Sequence, residues 1–152
     1  MNSLKIDDVN FLEYDIIYMA GGWGASYDLG YSEILGDKIT EAYAEGILMG
    51  SVCHGALGFL KAQDIDGTPL VKGRQITAVS DKQLEELGIT ATPMHPETEL
   101  RKLGADYQKN EAFRDFFATL VMVDGNLVTG QNQNSSGETA QTLLKLLDGK
   151  DD

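Results

Sequence analysis

Two short apolar runs flank a helical pattern in the first third of the chain, and that order of elements restricts the fold more than anything else in the sequence. Residues 15–20 (Asp-Ile-Ile-Tyr-Met-Ala) and 47–52 (Ile-Leu-Met-Gly-Ser-Val) have strand length and no polar alternation. That suits strands covered on both faces of a parallel sheet. Between them, over residues 31–45, Ile34, Leu35, Ile39, Ala42 and Tyr43 recur at helical spacing, and Gly46 stands where a helix C-cap belongs. The second run passes directly into Cys53-His54-Gly55-Ala56-Leu57-Gly58-Phe59-Leu60, whose later part can be helical. A βαβα order of this kind predicts an α/β fold with a mostly parallel sheet.

Further along, residues 75–79 alternate as a strand would, ahead of polar Ser80-Asp81 and a short helix to Leu87. Residues 90–97 hold two of the three prolines and are expected to be irregular. Residues 100–104 read as a short helix closed by glycine. Two apolar runs, 120–123 and 127–129, flank Asp124-Gly125-Asn126, a hairpin signal. The last helix is expected over residues 136–147, with Ala140, Leu143, Leu144 and Leu147 on its buried face. No linker, internal repeat or low-complexity tract stands out.

Composition narrows the function. The chain has 152 residues and a formal net charge of −12, the size of a single acidic domain. Such a charge cannot replace the counterions that nucleic acid releases, so no nucleic-acid partner is expected. Anionic membrane surfaces are disfavoured for the same reason. No apolar run approaches the ~20 residues that span a bilayer, and the first residues lack a secretion signal, so a cytoplasmic location is expected. Cys53 is the one cysteine. It has no internal disulfide partner, which leaves its thiol free for chemistry.

A nucleophilic cysteine acts as a thiolate, and a thiol between a strand end and a helix start is helped toward that form by nearby amides. Gly50, Ser51 and Gly55 are the small neighbours that a sharp strand-to-helix turn needs. A buried core cysteine is the plain alternative. His54 can take or return the thiol proton, but adjacent side chains diverge on regular structure, so the pair works only if the turn is irregular. His95, between Met94 and Pro96, either lines a pocket or is solvated, the second being the simpler reading. The glycines of Gly21-Gly22-Trp23-Gly24 suit either an ordinary tight turn or close amide approach to an oxyanion. Their place after the first strand puts them beside Cys53, because loops after the carboxyl ends of neighbouring parallel strands meet at one crevice.

Five ordered segments resemble the ThiJ/PfpI superfamily: residues 15–29 (DIIYMAGGWGASYDL), 51–60 (SVCHGALGFL), 73–88 (GRQITAVSDKQLEELG), 97–107 (ETELRKLGADY) and 123–136 (VDGNLVTGQNQNSS). They are most similar to the branch that contains heat-inducible chaperones and glyoxalase III enzymes. The resemblance implies a flavodoxin-like three-layer α/β sandwich of the class I glutamine amidotransferase kind, dimeric, with a nucleophile elbow at Cys53 and His54 beside it. It implies that backbone amides of Gly22 and His54 serve the oxyanion, and Gly22, Trp23, Gly24 and Gly55 are the expected oxyanion and substrate-binding positions. An acidic residue after the strand ending at Val79 orients the histidine in this branch. Asp81 is the match, with Glu85 in reserve, although an N-cap role would equally explain Asp81.

One departure concerns the start. Members of the family carry a βαβ portion ahead of the segment matched by Asp15, and its first strand leads to a glutamate that hydrogen-bonds the cysteine. Here about fourteen residues precede that point, too few for strand, crossover helix and returning strand. The chain is therefore read as one ThiJ/PfpI-like domain over residues 1–152, incomplete at its N-terminus and with no residue in the glutamate's role. The strand around Ile16 is expected to have an open edge, met by a homodimer partner or a complementing chain. Leu57 is a lesser departure, since many relatives have proline after the residue matched by Ala56.

Two functions follow. In the first, a cysteine-dependent enzyme converts a small 2-oxoaldehyde such as methylglyoxal to a 2-hydroxy acid without glutathione, metal or other cofactor; deglycase, amidase or peptidase chemistry would use the same parts. In the second, a catalytically weak stress protein acts as a holdase or partner-binding surface. Metal binding through His54, His95, Glu97 or Glu99 is the weakest reading, because no pair has a zinc-ligand spacing.

Overall fold

A computed structural model of the chain describes residues 3–89, 91–112 and 118–150. Thr90, in the segment expected to be irregular, lies outside them, as do a few residues of the domain expected over residues 1–152. Strand β1 (Ile16–Met19) leads through Gly21-Gly22 to a single helical turn α1 (Ala25–Asp28) and then α2 (Glu33–Ala44). Ser32 caps α2 by accepting from the Leu35 amide at 3.1 Å. Leu35, Ile39 and Ala42 are buried, and Gly46 follows the helix at φ 83°. Strand β2 (Leu48–Val52) is buried along its whole length and ends at a 3-10 turn, Cys53–Phe59.

The main sheet has the order β1-β2-β6-β5, where β5 (Val121–Asp124) and β6 (Leu127–Gly130) form the expected hairpin. β1 runs parallel to β2 with Ile16 opposite Leu48, and β2 parallel to β6 with Met49 opposite Leu127. β5 alone runs antiparallel. Side-chain alternation splits β2 and β6 between two cores. Leu48 and Val128 meet Leu143 of α5 (Ser136–Asp148) on one face, and Met49 and Leu127 join Ile39 and Phe59 on the other. With α5 on one side and α2 and the 3-10 turn on the other, the sheet is the middle of three layers, as expected. Among the described residues, no helix is long and apolar enough to cross a membrane.

Several expectations need correction. β1 is a sheet edge, as expected of the strand around Ile16, but it is not covered on both faces: Ile16 and Ile17 are half-buried, and Tyr18 is 38% exposed. The strand expected over residues 75–79 shrinks to β3 (Gln75–Ile76), paired in parallel with β4 (Asp106–Tyr107) in a separate small sheet. It stops because the Thr77 amide donates to the Thr129 hydroxyl at 2.9 Å in place of a ladder bond. Helix α4 (Pro96–Lys102) begins within the segment expected to be irregular, with proline at its first position, where a missing N–H costs nothing. In α5 the buried residues are Thr139 and Leu143, while Ala140 is exposed and Leu144 is 55% exposed. The buried face is thus turned by about one residue, because the Thr139 hydroxyl satisfies itself on the Ser135 carbonyl at 2.8 Å.

Candidate active site

The carboxyl ends of β1 and β2 lie side by side, and the loops that leave them interlock. A Cβ placed on Gly21 would stand 2.7 Å from the Val52 carbonyl oxygen and 2.8 Å from the Cys53 Cβ. One placed on Gly55 would stand 2.1 Å from the Met19 carbonyl oxygen. Glycine is the residue that lets these two backbones touch. Cys53 itself has φ 57°, and among the described residues it is the one non-glycine in the left-handed region. This conformation costs about 1–2 kcal/mol and marks the strained elbow on which nucleophiles are presented. It also answers the objection to neighbouring side chains: the turn is irregular at this residue, and Cys53 Sγ lies 3.4 Å from His54 Nδ1.

Backbone amides of His54 and Gly22 are aimed at the Cys53 sulfur and pull its pKa down, but burial is the larger influence and pushes the thiol above its ordinary range. The helix-start environment expected to favour a thiolate is outweighed by this burial. His54 is 1% exposed. Burial, and then the nearby charge of His95, lower its pKa to about 4, so the ring is neutral at neutral pH and able to accept a proton. With Nδ1 accepting from the thiol, the ring proton belongs on Nε2, which is buried and has no hydrogen-bond partner among the described residues.

Asp81 sits at the start of α3 (Asp81–Glu86), but the N-cap is Ser80, in a capping box with Gln83. The Asp81 carboxylate accepts from the Thr98 hydroxyl at 2.6 Å and lies 3.8 Å from His95 Nδ1; its hydrogen bonds do not reach His54. The Asp81 amide donates to Glu97 Oε2 at 3.0 Å, which ties α3 to α4. His95, half-buried at the head of α4, is thus held beside Asp81 and not simply solvated, and α4 packs on the 3-10 turn that carries His54. Glu85 is exposed and away from the site.

Above Cys53 opens a cleft of about 450 Å³, walled by residues from β1, β2, α3 and the segment after β6. Gly22 and Trp23 line it, Trp23 being 60% exposed. Gly24 starts α1 and Gly55 is buried behind the turn, and neither faces the cleft. Sequence reasoning missed Tyr18, Leu84, Leu87, Ile89, Asn132 and Ser136, all of which line it. The crevice rule that united Gly22 with Cys53 would also have found Asn132 and Ser136, since they follow β6, a third parallel neighbour. None of the described residues lining the cleft is an Asp, Glu, Lys or Arg. Among the described residues, no three His, Cys, Asp or Glu side chains converge as a metal site would require.

The description of the DJ-1/PfpI family matches residues 2–146. A probable glutathione-independent glyoxalase of Schizosaccharomyces pombe is 32% identical over 153 residues, covering 96% of this chain and 67% of its own length. Glyoxalase 3 of Candida albicans is 31% identical, over 94% of this chain and 62% of its own. Among solved structures, the Rapid Encystment Protein 24 kDa of Francisella tularensis superposes with a TM-score of 0.89 at 28% identity, covering 96% of this chain and 64% of that one. Glyoxalase III of Candida albicans superposes with a TM-score of 0.83 at 29% identity, over 92% and 60%. The chain spans about three fifths to two thirds of the length of these relatives.

Proposed function

The chain belongs to the DJ-1/PfpI family and is similar to its glutathione-independent glyoxalases, and from that premise we propose that it is a cysteine-dependent enzyme that converts 2-oxoaldehydes to 2-hydroxy acids. The observation that carries this reading is the Cys53 Sγ to His54 Nδ1 approach of 3.4 Å, made at a positive-φ elbow with two backbone amides on the sulfur.

The steps follow from those atoms. The thiol proton passes to His54 Nδ1 as Cys53 Sγ adds to the aldehyde carbon; one carbon–sulfur bond forms and the carbonyl π pair moves onto oxygen. The Gly22 and His54 amides stabilise that oxyanion before it is protonated to a hemithioacetal. His54 then removes the proton from the former aldehyde carbon and returns one to the neighbouring carbon, which leaves a thioester of the 2-hydroxy acid. Water hydrolyses the thioester, releases the acid and restores the thiol. The net change is addition of one water, with no external oxidant or reductant. Because burial holds the thiol above its ordinary range and no carboxylate among the described residues lines the cleft, turnover is expected to be slow near neutral pH.

The test is methylglyoxal consumption without glutathione by the wild type and by Cys53→Ala. Loss of turnover in the variant supports the reading, and turnover that survives it ends the reading.

A second reading, a partner-binding or holdase role, is favoured by one region. β1 is a sheet edge with Tyr18 exposed on it, and Tyr14, Trp23, Tyr27 and Tyr31 in the segments before and after it are exposed too. Such an edge is a template for another strand, and a second copy of the chain is the first candidate to test. Ile17→Lys is expected to reduce self-association in sedimentation. Suppression of client aggregation that is retained in Cys53→Ala would separate this role from catalysis.

A further inference from the structure

The cleft is larger and more apolar than a three-carbon aldehyde needs. Methylglyoxal has five heavy atoms; even at the roughly 30 Å³ share of a water molecule for each, it fills about a third of the volume above Cys53. Clefts of this size ordinarily take much larger ligands. The lining is mostly apolar, with Asn132, Gln133 and Ser136 as a polar margin. Val79, Leu84 and Ile89 form a small apolar cluster apart from the main core, and Cys53 packs directly against it. Leu87 continues that wall and is 45% exposed, and Trp23 also lines the cleft with much of its indole in water. A flat or branched apolar group in the cleft would remove both side chains from water.

Charge points the same way. The described lining residues provide no counter-ion for a carboxylate or an ammonium, and His54 is neutral at neutral pH. The chain's charge of −12 adds a general repulsion of anions. A carboxylate-bearing aldehyde would lose hydration here with no opposite charge among the described lining residues to offset it.

On the reading of Cys53 as nucleophile, we propose that the preferred substrate is an uncharged 2-oxoaldehyde bearing an aryl or branched alkyl group, its dicarbonyl end at Cys53 and its apolar end against Leu84, Leu87 and Trp23. The size and neutrality of this wall make the enzyme selective for such substituents over a methyl group. The chemistry and its atom balance are those given above, with the substituent unchanged.

The experiment compares kcat/KM of the full chain for methylglyoxal, phenylglyoxal and 4-carboxyphenylglyoxal, with Cys53→Ala as the blank for each. Phenylglyoxal is expected to exceed methylglyoxal by about tenfold or more, and the carboxylated ring to lose that advantage. Leu87→Asn, at a position 45% exposed in the free protein, is expected to lower the phenylglyoxal to methylglyoxal ratio severalfold. Cys53-dependent turnover with methylglyoxal equal or preferred, or a ratio unchanged in Leu87→Asn, overturns the substrate assignment and leaves the glyoxalase reading standing. No Cys53-dependent turnover of any of the three overturns the glyoxalase reading itself. A readout free of catalysis accompanies these: Trp23 is the one tryptophan, so phenylglyoxal is expected to quench the fluorescence of Cys53→Ala saturably, and methylglyoxal at equal concentration is not. Equal or unsaturable quenching by both also counts against the assignment.

Discussion

Gly55 is the position where one methyl group has the largest calculable consequence. A Cβ there meets Met19 O at 2.1 Å, Met19 C at 2.8 Å and Ala20 C at 3.1 Å, all of them backbone atoms that cannot swing aside as a side chain would. Ordinary van der Waals contact begins near 3.4 Å, so the elbow and the end of β1 must part by about 1.3 Å. Overpacking of a filled interior costs about 1–3 kcal/mol, and a backbone-on-backbone clash belongs at the upper end. Gly55→Ala is therefore expected to lose about 2–3 kcal/mol in urea unfolding. The same movement carries the loop after Met19 away from Cys53 and takes the Gly22 amide from the sulfur. A displacement of about 1 Å at a reacting centre is worth about a hundredfold in rate, which kcat/KM measured on the folded fraction would detect. Gly137→Ala is the control. It lies in α5 with nothing within 4 Å of the added methyl, and is expected to gain up to about 1 kcal/mol from helix propensity. A Gly55→Ala protein within about 0.5 kcal/mol of the wild type and fully active would refute the claim that the two loops are in contact through glycine.

Three further outcomes follow from the structure. His54 binds its proton more weakly in the folded chain than in the unfolded one, with pKa about 4 against the ordinary 6.5. Its contribution to stability is therefore present above pH 6.5 and is lost as pH falls toward 4, by roughly 3 kcal/mol at most. Urea unfolding of His54→Asn over that range should have a shallower pH slope, and an unchanged slope would count against a buried neutral ring. Because burial raises the Cys53 thiol, alkylation by iodoacetamide should still be accelerating at about pH 9; a plateau below pH 8 would mean a stabilised thiolate. In α5, Leu143→Ala is expected to cost about 2–5 kcal/mol and Leu144→Ala under about 0.5, read from paired denaturation curves; the reverse order would contradict the observed helix face.

Much of this was legible in the chain because strands of a parallel sheet leave short apolar runs, although the run at β1 marks an edge strand and not one covered on both faces. β2, apolar or small along its length, pairs on both sides, and the Asp124-Gly125 hairpin and the capped helix α2 carry their own local signals. The elbow could be placed at Cys53 from its small neighbours, and the meeting of Gly22 with Cys53 from parallel-sheet geometry alone. What escaped notice depends on contacts between distant segments. Leu143 and Leu144 are adjacent and equally apolar, so periodicity could not choose between them; Thr139, a polar residue that satisfies its own hydroxyl, decides the phase. Asp81 could be matched as an acidic residue at the right distance, yet its partners His95 and Thr98 lie on or beside a helix whose approach to α3 no local pattern encodes. The apolar wall of the cleft joins Val79, Leu84, Leu87 and Ile89, which read locally as a strand end and a helix face and become a site only when packed beside Cys53.

The central place of β2 in the sheet also bears on how the chain is made. One neighbour of β2, β1, emerges shortly before it, but the other, β6, joins Met49 to Leu127 across about eighty positions, the kind of long-range pairing that slows folding. At a synthesis rate of about 5–20 residues per second, β2 spends several seconds with one edge unmatched. During that interval the apolar faces that will hold Phe59 and Leu143 are uncovered, and the elbow has no walls. The same topology that encloses Cys53 in the finished protein makes the nascent chain dependent on a late hairpin, so truncations or pauses upstream of residue 121 should release aggregation-prone chains in place of a smaller folded domain.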